Sequence, residues 1–348
     1  MVEKIRSVLF FAAFILPITS LLPVAVCAGY ECSFLSTETI IAGNLADPLL
    51  SEIYTKDFLS SMAESAVLQN INSSMLGGKI IEKNRMSLGY GGGRNQIKPR
   101  DFYFQFTELH ELPTQGIAAS PSLSYAVNLG NAFEKAGEWR KWNLHSQFFP
   151  YYLSEKNIPF LKVRNTEVDG RVANLSLNLR YFPFLDQSGN TKGVSFGFGL
   201  YHTNQEVSLH AYDRRPTQIR LDGDKRKWLG TNSLDYESKI LSSTADLRYS
   251  FEIAKMTLYT GLGMMYNHGM TSIKAERVAI ISSYLSPDDF LTNPSGIALN
   301  VTKELKIREA NFYGIFGAQY HWETFGIGIE YLKNIKTESL NVGVHYYF

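Results

Sequence analysis

The sequence predicts an all-β fold: an antiparallel transmembrane β-barrel of about ten strands, within a range of roughly 8–14, preceded by an N-terminal amphipathic helical segment. Three observations predict it. The last ten residues, Ser339 to Phe348, alternate almost strictly and end on an aromatic residue. Leu340, Val342, Val344, Tyr346 and Phe348 share one face, and Asn341, Gly343, His345 and Tyr347 share the other. From Arg100 onward similar runs recur, each near the length a tilted strand needs to cross a bilayer. The three longest connections between them fall on the same side, as they do when a barrel has one periplasmic and one exterior end, although Gly130–Arg140 is long for a periplasmic turn.

Composition suits this class. A net charge of +1 over 348 residues gives no global field to draw nucleic acid or an acidic partner. Mean hydropathy of -0.13 is unlike a helical membrane protein, whereas a barrel conceals its apolar band by alternation. The 20 Tyr and 22 Phe supply interfacial girdles, and 27 Gly supply turns and tight bends.

The first 28 residues read as a cleaved export signal. Lys4 and Arg6 precede a nearly continuous apolar run, Val8 to Ala28, broken by Pro17 and Pro23 and closing on Val26-Cys27-Ala28. Cleavage there leaves Cys32 as the remaining thiol, so an intramolecular disulfide is excluded. Neither Cys27 nor Cys32 has the small residue expected before a lipidated cysteine. The chain thus divides into a signal (1–28), a helical, periplasmic or plug segment (29–84) and a barrel (85–348).

Asp47-Pro48 resembles an N-cap with Pro at N1. Apolar residues from Leu49 to Met75 then recur at helical spacing, and Gly77-Gly78 provides the stop. A helix is about 10–12 Å wide, and an eight-stranded barrel is filled by its own side chains, so an internal plug calls for about eleven strands or more. On that arithmetic the helix belongs outside the lumen. The run Gly89-Tyr90-Gly91-Gly92-Gly93 lacks the Lys-Ser/Thr and the helix start of a phosphate loop, and reads as a glycine-rich first strand, left without a partner in the count, or as an entry turn.

The strand series runs from Phe102–Thr107 and Ile117–Leu129 through Lys141–Leu153, Val172–Phe182, Gly193–Tyr212 and Ala245–Glu252. Leu258–His268, Asn311–His321, Thr324–Leu332 and the terminal strand complete it. Counting back from a periplasmic Phe348 places the three longest connections, Gly269–Ile307, Asp213–Asp235 and Ser154–Gly170, together at the exterior. The polar faces, with Asn178, Arg180, Asp246, Arg248, Gln319 and Glu330, then line the lumen. A soluble sandwich would show the same alternation with its apolar face inward, and the export signal and terminal Phe348 favour the membrane form.

The residues point away from catalysis. Seven His are scattered one per strand or loop, with no i,i+4 pair or H-E-x-x-H setting for zinc, and no G-x-S-x-G elbow occurs. No metal or other cofactor is expected. One exposed stretch stands out: Asp213–Asp235 carries Arg214, Arg215, Arg220, Lys225, Arg226 and Lys227, with Trp228 as an aromatic anchor. It could hold an acidic glycan, a lipopolysaccharide phosphate or a host protein, although Asp213, Asp222 and Asp224 offset part of its charge.

The repeated strands and the terminal Val344-x-Tyr346-x-Phe348 resemble bacterial outer-membrane β-barrel proteins. That resemblance implies recognition of the last strand by the barrel-assembly machinery, with outer-membrane lipid around the wall. More loosely, Phe58 to Ala66 (F-L-S-S-M-A-E-S-A) joined to such a barrel resembles spirochaete surface-protein families, some of them adhesins. The expected function is a surface protein with long exposed loops, structural or ligand- or host-binding; the alternative is a pore or small-solute transporter plugged by the helix. Ten strands are few for an open channel, which favours the first.

Overall fold

A computed structural model describes residues 25–27, 30–34, 58–79, 83–95, 102–104, 107–109, 116–134, 137–154, 166–184, 193–221, 224–282 and 295–348. Ten strands build the barrel: β1 (Arg85–Asn95), β2 (Ile117–Asn128), β3 (Trp142–Ser154), β4 (Thr166–Tyr181), β5 (Val194–Tyr212), β6 (Asp224–Ile253), β7 (Met256–Ile281), β8 (Ser295–His321), β9 (Phe325–Lys333) and β10 (Thr337–Tyr347). Each pairs antiparallel with the next. The terminal strand β10 then pairs with β1, from Thr337 opposite Asn95 to Tyr347 opposite Arg85, and the ring closes. Of the export signal, Met1 to Val24 and Ala28 lie outside the described residues, as does the expected helix start at Asp47-Pro48.

The expected number of strands is met with one different member. Phe102–Phe104 and Thr107–Leu109 pair with each other in a separate two-stranded sheet within the connection from β1 to β2. The glycine-rich run is instead the first barrel strand, partnered on both sides. Its alternation is real but uneven in size: Met86, Leu88 and Tyr90 point outward, while the inward positions after Arg85 and Ser87 are Gly89, Gly91 and Gly93. A periodicity test that counts apolar side chains does not weigh such a face.

The wall is apolar outside and polar inside. Leu262 is 73% exposed and Phe312 75%, on the same outward face as Leu177, Leu247, Val342 and Val344. Asn178, Arg180, Asp246, Arg248, Gln319 and Glu330 are all buried on the inward face. This is the polarity of a barrel in lipid. The tight turns Ala254–Lys255 and Trp322–Thr324 lie at the end that carries Phe348, which marks that end as periplasmic. Aromatic rings gather on its rim, with Tyr346 and Phe348 centroids 5.8 Å apart, Tyr125 and Phe348 6.2 Å, and Tyr320 and Trp322 4.7 Å.

Five strands outrun the membrane. On β6 the outward positions from Ile253 up to Leu241 are apolar but for Ser243, then change to Lys239, Glu237 and Asp235. The same change comes on β7 after Met270, at Ser272, Lys274 and Glu276, and on β8 at Arg308, Lys306 and Glu304. With β4 and β5 these strands rise above the bilayer as a sheet, and Met270–Ile281 alone adds roughly 40 Å at about 3.3 Å per residue. Stretches expected to be loops, Gly269–Ile307 and Asp213–Asp235, are largely strand. Their β character escapes notice because the outward face is charged rather than apolar.

Neighbouring positions on β4 give a test of facing. Leu177 is half-exposed amid the lipid-facing run Leu175–Leu179, and Leu177→Arg is expected to cost about 2–4 kcal/mol or to block insertion. Sequence alone suggests that Asn178→Arg would be tolerated as a change of lumen charge. The structure reverses this, because Asn178 is fully buried, donates to Tyr201 Oη at 3.4 Å, and shares its face with Arg180. Both substitutions should therefore lower the yield of heat-modifiable protein; normal folding of Asn178→Arg would mean that the lumen has free space there.

Candidate functional site

Helix α1 (Ser60–Ser73) lies inside the barrel. Its side chains are buried on every side, and it touches strands all round the ring, including β1, β2, β4, β5, β6, β9 and β10. The expectation of a helix outside the lumen is thus overturned, and the reason is the size of the inward residues. On one side α1 faces β1, β2 and β10, whose inward positions are mostly Gly, Ala, Ser and Asn. A Cβ on Gly93 would lie 2.6 Å from the Ser65 carbonyl oxygen, and one on Gly116 2.1 Å from Ser61 backbone atoms. The strands come as close as glycine permits, so ten suffice where a wall of ordinary side chains would need more. On the other side Ala63, Val67, Leu68 and Ile71 pack on Tyr201, Ile240, Met265, Tyr313, Ile315 and Leu332.

Hydrogen bonds fix the helix along its length. Near its start the Glu64 carboxylate accepts from Asn95 Nδ2 at 3.2 Å and Thr337 Oγ1 at 2.8 Å. Ser65 donates to the Gly116 carbonyl at 2.9 Å, and Gln69 Nε2 to Ser120 at 2.7 Å. Asn70 donates to Thr203 at 2.8 Å, and Asn72 to Ser339 and to the Glu330 carbonyl, both at 3.1 Å. The helix ends through Met75 (φ 47°) and Gly77 (φ +72°). Glycine suits position 77 because its positive φ is one that L side chains rarely adopt; the Gln319 amide that lies where a Cβ would go is the movable end of a flexible side chain.

Beneath that end lies a buried ionic cluster. Arg180 Nη2 meets Asp246 Oδ1 at 2.6 Å, and Arg248 Nε reaches the same oxygen at 3.1 Å. Arg248 also holds Glu330 through two contacts, Nη1 to Oε2 at 2.8 Å and Nη2 to Oε1 at 3.2 Å. Tyr259 Oη donates to Glu330 at 2.8 Å. The helix terminus plugs into this cluster: Arg248 donates to the Gly77 carbonyl at 3.2 Å and the Gly77 N–H reaches Glu330 at 3.4 Å. Arg85 donates to the Met75 carbonyl at 2.6 Å. The structure thus gathers Arg180, Asp246, Arg248 and Glu330 into one network, with Gln319 against Gly77 and Asn178 beside them. Sequence reasoning missed Arg85 and Tyr259, and named Gly77 as the helix stop but not as a member of this network; Arg85 begins the alternation of the glycine-rich strand, which was its available signal.

The basic stretch at the exterior is divided rather than gathered. Thr217–Leu221 pairs with the start of β6, placing Gln218 opposite Lys227, Ile219 opposite Arg226 and Arg220 opposite Lys225. Alternation sends Lys225 and Lys227 to one face and Arg226 to the other, where it is buried. Arg214, Arg215 and Lys225 are exposed. Arg220 and Trp228 are placed by their backbones alone, Trp228 opposite Thr217 and Ile281. Of the basic side chains expected to be exposed on this stretch, Arg226 is therefore buried instead. Lower on the sheet, Glu167, His210, Ser233 and Glu276 form a cross-strand row and, with Tyr212 and Val278, line a cavity of about 370 Å³.

Residues 22–348 match the family described as Lsa36-like. The chain belongs to the Lsa36-like family. No curated protein matches it. Solved structures similar to this family member are outer-membrane barrels. The translocator domain of the autotransporter NalP from Neisseria meningitidis is 10% identical, covers 90% of this chain and 100% of its own, and has a TM-score of 0.36. Ail, the attachment invasion locus protein of Yersinia pestis, is 13% identical over 77% of this chain and 100% of its own, at 0.25. A Pseudomonas aeruginosa FadL homologue is 8% identical over 86% and 98%, at 0.27. Family and closed ring together place this member in the bacterial outer membrane, with its wall in lipid.

Proposed function

We propose that this protein is a non-catalytic surface-binding barrel, adhesin-like, whose working part is the sheet above the membrane. The observation that carries this reading is the occupied lumen, where α1 is gripped from Glu64 to Gly77 by the inner faces of the wall. The helix stands where an aqueous channel would run, and the exposed Arg214, Arg215 and Lys225 at the outer tip suit an anionic glycan of a host surface. On this reading Met1–Ala28 is removed on export, and the assembly machinery reads Val344, Tyr346 and Phe348, all exposed on the lipid face beside β1.

Two measurements on refolded residues 29–348 test it. In planar bilayers the heat-modifiable protein should be silent, and deletion of residues 58–76 should produce steady conductance. On immobilised heparin the intact protein should be retained, and Arg214→Ala combined with Arg215→Ala and Lys225→Ala should elute at lower salt. Steady conductance of the intact protein would instead make the pore primary. The polar seat of α1, held by side-chain hydrogen bonds such as those of Gln69 with Ser120 and Asn174, is what favours that second reading, since such a plug can be withdrawn.

A further inference from the structure

We infer that the segment Tyr30–Phe34 has passed through the barrel and lies on the exterior side of the outer membrane. The direction of α1 carries the inference. At its beginning Phe58 and Leu59 pack on Tyr236 and Ile273, inward residues of β6 and β7 in the sheet above the membrane. Glu64, about one and a half turns later, bonds to Asn95 and Thr337 at the exterior ends of β1 and β10. At its close Gly77 meets Arg248 and Glu330, Lys79 pairs with Glu252 at 3.0 Å beside the tight turn Ala254–Lys255, and β1 sets out from the periplasmic rim. The chain therefore descends through the lumen from outside to inside before the first strand climbs back.

A second observation agrees. Tyr30–Phe34 pairs antiparallel with Ile297–Val301 of β8, and those residues belong to the part of β8 beyond the Glu304–Arg308 boundary, above the bilayer. Two separated points of the N-terminal region, Tyr30–Phe34 and Phe58–Leu59, thus stand on the same exterior side. A chain exported N-terminus first reaches the periplasm with that region in hand, so its location requires a second crossing made within its own barrel. The barrel is then a carrier of its own N terminus, a function separate from ligand binding. The inference rests on the direction of α1 and holds whether or not the exterior sheet binds a glycan.

The test uses the full chain in a bacterial outer membrane, with a short epitope inserted after Phe34, in the Ala254–Lys255 turn, or at Ile335 in the exterior β9–β10 turn. Antibody labelling of intact and permeabilised cells is compared, and heat-modifiability confirms that each tagged protein is folded. The tag after Phe34 should label intact cells as fully as the one at Ile335, while the tag at Ala254–Lys255 should label after permeabilisation. A Phe34 tag that behaves like the Ala254–Lys255 tag overturns the inference, as does labelling of Ala254–Lys255 on intact cells. Should insertion after Phe34 prevent folding, the same tag placed directly before Tyr30 gives the same two readings.

Discussion

Replacing Glu330 with alanine is expected to cost about 3–5 kcal/mol, the range for breaking a buried ion pair from one side. The cluster holds three guanidinium groups, Arg85, Arg180 and Arg248, against two carboxylates, Asp246 and Glu330, all buried. Removing one carboxylate leaves three cations facing one anion, and leaves the Arg248 contacts at 2.8 and 3.2 Å and the Tyr259 hydroxyl without their acceptor. Urea unfolding of the refolded barrel should show a lower midpoint. The double substitution Glu330→Leu with Arg248→Leu should recover much of the loss, because it removes the orphaned charge together with its partner. An unchanged midpoint for Glu330→Ala would show that the cluster does not hold the periplasmic end of α1.

The second large effect is expected at a pair of adjacent glycines. Gly93 faces the helix, and its added Cβ would stand 2.6 Å from the Ser65 oxygen and 3.2 Å from Gln69 Cβ. Gly92 faces outward, where the nearest atom to an added Cβ, the Ala118 carbonyl oxygen, is 3.6 Å away. Gly93→Leu should therefore force α1 from its seat, at a cost of about 1–3 kcal/mol or more, and open a conducting path. Gly92→Leu should fold and stay silent. Bilayer recordings of both variants, beside a protease digest that reports exposure of the helix, make the comparison. Equal behaviour of the two would mean that the glycine face is not what accommodates the helix.

Much of the barrel is legible because lipid imposes a simple rule on the strands it touches. Leu175-Ser-Leu177-Asn-Leu179-Arg180 writes both faces of β4 in six letters, and the inward placement of Arg180, Asp246, Arg248 and Glu330 follows from such alternation. The rule fails where lipid is absent. Above the bilayer Glu237 and Lys239 on β6 replace leucines, so strand reads as loop. Against the helix Gly89, Gly91 and Gly93 stand in place of side chains altogether, so a first strand cannot be told from an entry turn. The placement of α1 was hidden for a related reason. Strand number sets a lumen diameter only for walls of average residues, and the space left by glycine and serine on β1, β2 and β10 is a property of three strands distant in sequence. The ion pairs Arg180–Asp246 and Arg248–Glu330 join residues 66 and 82 positions apart, which periodicity along one strand cannot reveal.

The grip on α1 also sets an order in time. Its partners include Thr337, Ser339 and Asn341 on the final strand, so bonds such as Glu64 to Thr337 and Asn72 to Ser339 span 273 and 267 residues. The helix is among the earliest parts of the chain to be synthesised and among the last to be secured. Until β10 docks on β1, the serine and asparagine side chains that hold one flank of α1 are missing, and the sheet is an open crescent with a helix resting against it. Closure of the seam and seating of the helix are then one event. Contacts of such separation make that event slow, and they make the final eleven residues of β10 the step on which both the wall and its contents wait.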